Sequence, residues 1–185
     1  MKDEVFFRAS GGGVTLSGGE VLMQAPFATR FLQRLRSWGV PCAIETAGDA
    51  PASRLLPLAR CCDEVLFDLK IMDARQAREV VSMNQPRVVE NLRLLVQEGI
   101  AVTPRLPLIP GYTLSKENMH QALTLLTSLG IRHLHLLPFH QYGEPKYRLL
   151  GQQWSMREVS APSAQEVAAY RQWAESAGFE VTVGG

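Results

Sequence analysis

Apolar residues recur along the chain in short runs, separated by stretches in which they return with helical period. Runs rich in Val, Ile, Leu and Phe suit strands. They predict strands at Val14–Ser17, Ala43–Thr46, Glu64–Leu69, Ala101–Leu106, His133–Pro138 and Glu180–Val183. The stretches between them predict helices at Pro26–Trp38, Ala52–Arg60, Asp73–Val81, Pro86–Glu98, Lys116–Leu129 and Ala164–Ala177. Phe27, Phe31, Leu32 and Leu35 are the expected buried stripe of the first helix. Ser115 and Ser163 read as N-caps, with Glu166 as capping-box partner of Ser163 and Asn118 standing where Ser115 would have a Glu. Pro107 is expected to take its strand out of the sheet. Residues 143–162 are expected to form an irregular surface loop.

Strand alternating with helix predicts parallel strands joined by crossovers. The strands read as apolar on both faces, as buried parallel strands do. An open doubly wound sheet and a partial barrel both satisfy this pattern.

Composition narrows the class. A chain of 185 residues suits one domain with a real core. Net charge is +1, so no strong field favours nucleic acid or a membrane surface. No apolar run reaches the length of a membrane span, and Met1-Lys2-Asp3-Glu4 does not open a signal peptide. Cys42, Cys61 and Cys62 are the three cysteines. Neighbours such as Cys61 and Cys62 rarely satisfy disulfide geometry, and all three are expected to be buried small hydrophobes in a reducing, cytoplasmic setting.

Charged residues at strand ends are the candidates for chemistry. Asp68 and Lys70 lie two apart on a predicted strand and so share a face. Buried charge needs a partner; the two either pair with each other or meet a ligand that carries charges of its own. Arg105 offers a planar fork suited to a carboxylate, or else an ion pair with Glu45 or Asp68. His140 follows Leu137-Pro138-Phe139 at another strand end, as a structural residue or a ligand contact. Gly18 and Gly19 let the backbone turn and come close to a ligand, and Glu20 follows at the C-terminal end of the first strand.

The run Ser10-Gly11-Gly12-Gly13-Val14-Thr15-Leu16-Ser17-Gly18-Gly19-Glu20 resembles a segment of the radical S-adenosylmethionine (SAM) enzymes that activate glycyl radical enzymes. The resemblance continues through Glu45-Thr46-Ala47-Gly48, Phe67-Asp68-Leu69-Lys70, the stretch from Pro104 to Gly111, and Leu136-Leu137-Pro138-Phe139-His140. It implies an α/β fold, a partial (β/α)6 TIM-like barrel. It implies reductive cleavage of SAM and abstraction of hydrogen from a glycine of a partner resembling pyruvate formate-lyase, with a reductant such as flavodoxin. The implied SAM-binding residues are Gly18, Gly19, Glu20, Glu45, Thr46, Asp68, Lys70, Arg105 and His140, with a monovalent cation at Glu45 and Asp68. Glu45 and Ala47 stand where relatives often have Asp and Asn.

The family binds a [4Fe-4S] cluster through Cys-x3-Cys-x2-Cys, and such clusters need cysteine thiolates. Cys42, Cys61 and Cys62 lack that spacing. The expectation is therefore a single core domain, residues 1–185, forming the C-terminal two-thirds of an activating enzyme. Its first barrel strand and cluster loop would be missing, and it would be inactive alone. Two rival readings are a Schiff-base aldolase-type barrel with Lys70 as nucleophile, and a remnant that only binds SAM or docks on the glycyl radical protein.

Overall fold

The computed structural model describes residues 12–184. Ser10 and Gly11 of the glycine-rich run lie outside the described residues. Six strands follow one another in sheet order as they do in the chain. They are β1 (Val14–Leu16), β2 (Cys42–Thr46), β3 (Glu64–Asp68), β4 (Val102–Leu108), β5 (His133–Pro138) and β6 (Glu180–Val183). Between them lie α1 (Ala25–Ser37), α2 (Ala52–Ala59), α3 (Ala74–Val81), α4 (Gln85–Gln97), α5 (Lys116–Ser128), α6 (Glu144–Leu149) and α7 (Ala164–Ser176). Every predicted strand and helix is present, with ends that move by at most two residues.

The chain divides into two compact units. The first holds the described residues through Asp68 together with Asp73–Pro104. Here β1, β2 and β3 pair in parallel, with Val14 opposite Cys42 and Ala43 opposite Glu64. The Val65 N–H donates to the Ala101 carbonyl at 2.9 Å, where β4 is about to begin. Among the described residues β1 pairs with β2 alone, so it is the edge of this unit.

Burial in these strands corrects one expectation. Cys42, Ile44 and Thr46 are buried on β2, and Val65 and Phe67 on β3, while Ala43, Glu45, Glu64, Leu66 and Asp68 are half-buried. The strands therefore have one apolar face, and the alternate positions carry the charges. Short runs hide this alternation in the sequence, because Leu66 and Ala43 interrupt the polar face.

The first helix brings a second correction. α1 buries Ala28, Leu32 and Leu35, whereas Phe27 is 59% and Phe31 38% exposed. The two rings stack on each other, with centroids 6.1 Å apart, in line with exposed Met23 and Trp38. Helical spacing shows which residues share a face but not which face meets the core. The small Ala28 marks the packed side here, and the bulkier stripe stays in solvent. Truncating Leu32, which has no exposed surface, would cost about 2–5 kcal/mol.

The second unit holds Leu69–Met72 and the residues from Arg105 onward. β4, β5 and β6 pair in parallel, with Arg105 opposite His135 and His133 opposite Glu180. β4 runs through Pro107 to Leu108, so the proline does not end the strand. The Arg105 carbonyl accepts from the Leu69 N–H, and the Leu108 carbonyl accepts from the Phe139 N–H. Alternate residues thus address opposite neighbours. Pro107 faces the same side as Arg105, and its carbonyl accepts from the Thr113 hydroxyl rather than from a ladder N–H, so its missing N–H breaks no ladder there. The segment expected to be irregular contains α6. Ser163 and Glu166 form the predicted capping box on α7, and Ser115 accepts from the Asn118 N–H at 3.1 Å on α5.

Candidate functional site

In the first unit the candidate residues gather at the C-terminal ends of β1 and β2. Gly18 has φ +126°, a conformation L side chains rarely adopt. A Cβ added at Gly18 or Gly19 would meet nothing within 4 Å, so the backbone there is open to approach. Glu20 caps the 3-10 turn Val21–Gln24, its Oε1 accepting from the Leu22 N–H at 3.1 Å. The same oxygen accepts from the Thr46 hydroxyl at 2.6 Å, and Oε2 accepts from the Ala47 N–H at 2.9 Å. Thr46 Oγ1 in turn accepts from the Gly48 N–H at 2.9 Å. One carboxylate thereby ties the end of β1 to the end of β2. The Ser17 hydroxyl donates to the Glu45 carboxylate, so all five candidates here, Gly18, Gly19, Glu20, Glu45 and Thr46, lie within one bonded cluster or next to it. A cavity of about 430 Å³ adjoins it, lined by Ser17, Gly19, Glu20, Met23 and Phe27 among others.

The loop after β2 is held tightly. Asn91, buried in α4, donates from Nδ2 to the Gly48 carbonyl at 2.6 Å and the Ala50 carbonyl at 2.8 Å. Gly48 has φ +69°, and a Cβ there would sit 2.3 Å from the Phe67 ring. Asp68 ends β3, half-buried, one residue beyond Phe67.

In the second unit Lys70 follows on a segment tied to α5. Asn118 Nδ2 donates to the Lys70 carbonyl at 2.8 Å and the Thr113 carbonyl at 3.1 Å, and its Oδ1 accepts from the Met72 N–H at 2.8 Å. The Thr113 hydroxyl donates to the Pro107 carbonyl and accepts from the Ile109 N–H at 2.9 Å. Arg105 is buried on β4. His140 is exposed and caps the turn Gln141–Gly143, its Nδ1 accepting from the Tyr142 N–H at 3.3 Å with the two rings 4.2 Å apart. A larger cavity of about 630 Å³, lined by Glu144, Arg148, Trp154 and Arg157 among others, contains none of the candidates.

The cysteines differ from expectation in part. Cys42 is buried, but Cys61 and Cys62 are half-buried, because they lie in the turn after α2, where the Cys61 and Cys62 thiols donate back to the Pro57 and Ala59 carbonyls. Burial, then the nearby Asp63 charge, pushes the Cys62 thiol up to about 12. The same two causes raise Cys42. Among the described residues no group of three or more His, Cys, Asp and Glu is placed to hold a metal ion.

Asn91, Thr113 and Asn118 were not among the candidates. Asn91 had a signal: it lies beside Val88, Leu92 and Leu95 on the buried face of its helix. So did Asn118, an amide where a capping box would have a carboxylate.

Comparisons with known proteins agree on one family. Residues 3–123 match the family described as the Radical SAM superfamily. The chain is 77% identical over its whole length to the pyruvate formate-lyase 2-activating enzyme of Escherichia coli, and spans 63% of that relative. It is 31% identical over its whole length to the trans-4-hydroxy-L-proline dehydratase activating enzyme of Clostridioides difficile, and spans 62% of it. A crystallised domain of a pyruvate-formate lyase-activating enzyme from Bacteroides vulgatus superposes with a TM-score of 0.77 at 26% identity, covering 94% of this chain and 99% of that domain. A radical SAM methyltransferase from Sphaerobacter thermophilus shares the fold with a TM-score of 0.73 at 20% identity, over 95% of this chain and 52% of its own.

Proposed function

Because this chain belongs to the radical SAM superfamily, as its motifs predicted, we propose that it is the SAM-orienting part of an enzyme that activates a glycyl radical protein related to pyruvate formate-lyase. The observation that carries this reading is the 77% identity, over every residue of the chain, to an enzyme named for that activation. On this reading the 185 residues form one radical SAM core domain, about two-thirds of the working enzyme. It works in the cytoplasm and draws its electron from a reductant such as flavodoxin. No helix among the described residues is long and apolar enough to cross a membrane.

The residues present fit SAM. The open backbone at Gly18 and Gly19 suits the SAM ammonium, which peptide carbonyls can bind without a side chain in the way. Glu20 and Thr46 are placed to fix that turn, since the carboxylate accepts three internal bonds. Glu45 and Asp68 are the proposed partners of the carboxylate end of SAM through a monovalent cation. Lys70 and Arg105 bring positive charge, and the Arg105 fork suits a carboxylate. His140 is assigned to the ribose and adenine. SAM, when bound, supplies the group that takes hydrogen from the partner's glycine; the protein supplies orientation.

The residues present do not fit the [4Fe-4S] cluster. Its ligands are cysteine thiolates; Cys42, Cys61 and Cys62 lack the required spacing, and among the described residues no three His, Cys, Asp or Glu are grouped to hold a metal. We therefore place the cluster ligands outside these 185 residues and expect no radical formation by this chain alone.

Titration with SAM followed by saturation-transfer NMR tests the assignment. Transfer to SAM protons is expected in the wild-type chain. Asp68→Ala or Arg105→Ala is expected to weaken it by about 1–3 kcal/mol, the scale of a charge-assisted hydrogen bond. Equal affinity in all three proteins would remove both residues from the site.

A further inference from the structure

Asn118 joins stretches of chain more than forty residues apart. Both of its amide hydrogens are donated, one to Lys70 and one to Thr113, and its oxygen holds the Met72 N–H. On the other side of the same segment, the Leu69 N–H donates to the Arg105 carbonyl at 2.9 Å. The backbone is thus held one residue before Lys70, at the Leu69 N–H, and directly after its Cα, at its own carbonyl.

The core alone does not achieve this. Leu69, Ile71 and Met72 are buried, so packing fixes their side chains. Lys70 is the half-buried charged residue among them. The amide bonds go to its own carbonyl and to the N–H two residues later. A side chain that must meet a ligand gains affinity when its backbone is ordered beforehand.

We propose that Asn118 is a positioning residue that acts through Lys70, setting the ammonium for the ligand this unit binds. The proposal rests on the assignment of Lys70 to SAM. Thr113 extends the brace, because its hydroxyl bonds the Pro107 carbonyl of β4, the strand that carries Arg105. The requirement is for an amide. Aspartate at this position keeps the acceptor for Met72 but offers no donor to Lys70 or Thr113.

A double-mutant cycle separates positioning from scaffolding. SAM affinity is measured by NMR titration on the wild-type chain, Asn118→Ala, Asn118→Asp, Lys70→Ala and the Asn118→Ala/Lys70→Ala pair. Asn118→Ala and Asn118→Asp are each expected to weaken SAM by about tenfold, the scale of a lost internal hydrogen bond. In the Lys70→Ala background the further loss is expected to vanish, because contacting residues are not additive. Amide exchange at Met72 is expected to speed up in Asn118→Ala and stay slow in Asn118→Asp. Wild-type affinity in Asn118→Ala, or an undiminished tenfold loss in the Lys70→Ala background, overturns the proposal and leaves the SAM assignment standing. If Asn118→Ala fails to fold, Asn118→Asp decides by the same comparison with its own Lys70→Ala double variant. A wild-type chain with no measurable SAM affinity overturns the SAM assignment and this proposal together.

Discussion

The two units fix their strand ends with different chemistry. In the first, a carboxylate is the clamp: Glu20 accepts from Leu22, Thr46 and Ala47 and so spends its charge within the fold. In the second, a neutral amide is the clamp: Asn118 braces Lys70, Met72 and Thr113, and the charge resides on the neighbouring Lys70. The difference teaches that charge at a strand end is not by itself a sign of ligand contact. Glu20 lies in the most specific motif of the chain, yet its two oxygens are occupied. Lys70 looks less distinctive in sequence, yet its backbone is held while its side chain remains half-exposed.

That contrast breaks most easily at Glu20. Glu20→Ala removes the acceptor of three bonds, one charged partner against several donors, and is expected to cost about 3 kcal/mol of stability. Asn118→Ala, which removes neutral bonds only, is expected to cost less. Urea denaturation of the two variants is the check; equal losses would erase the distinction between a charged and a neutral clamp.

A smaller effect is expected at the loop that Asn91 holds. Gly48→Ala would place a methyl against the Phe67 ring in a left-handed backbone and is expected to cost about 2 kcal/mol. Phe67→Leu, added to it, is expected to recover part of that loss relative to Phe67→Leu alone. No recovery in thermal unfolding would mean that backbone strain, not the ring, sets the cost.

The smallest effect concerns pH. The Cys62 thiol is raised from 9.0 to about 12 in the folded chain. The folded state therefore favours the protonated thiol, and that contribution is intact below about pH 9. It is lost as pH climbs from 9 towards 12, where the unfolded chain has already given up the proton. Denaturation curves at increasing alkaline pH are expected to show a falling midpoint that Cys62→Ser flattens. Maleimide labelling at neutral pH is expected to be slow at Cys62, and labelling as fast as that of a free thiol would contradict the shift.

Much of this was legible in the sequence. Short β-branched and aliphatic runs separated by helical stripes set the six strands and the long helices, because those patterns reflect local propensity and the periods 2 and 3.6. The Ser163 and Glu166 box was legible because both partners sit within four residues. The family was legible because its motifs are contiguous runs at strand ends, such as Ser17-Gly18-Gly19-Glu20 and Phe67-Asp68-Leu69-Lys70.

What only the tertiary structure decided involves choices between equal local patterns, and partners distant in the chain. Two stripes on α1 have the same helical spacing, and packing chose Ala28, Leu32 and Leu35 over Phe27 and Phe31. Pro107 remained in its strand where the Thr113 hydroxyl, not a neighbouring strand, meets its carbonyl. Glu20 finds Thr46 and Ala47, and Asn118 finds Lys70 and Met72, across 26 to 48 positions. Such bonds have no periodicity to announce them; they exist because crossovers bring successive strand ends side by side, and there a polar group withdrawn from water is stabilised by a partner.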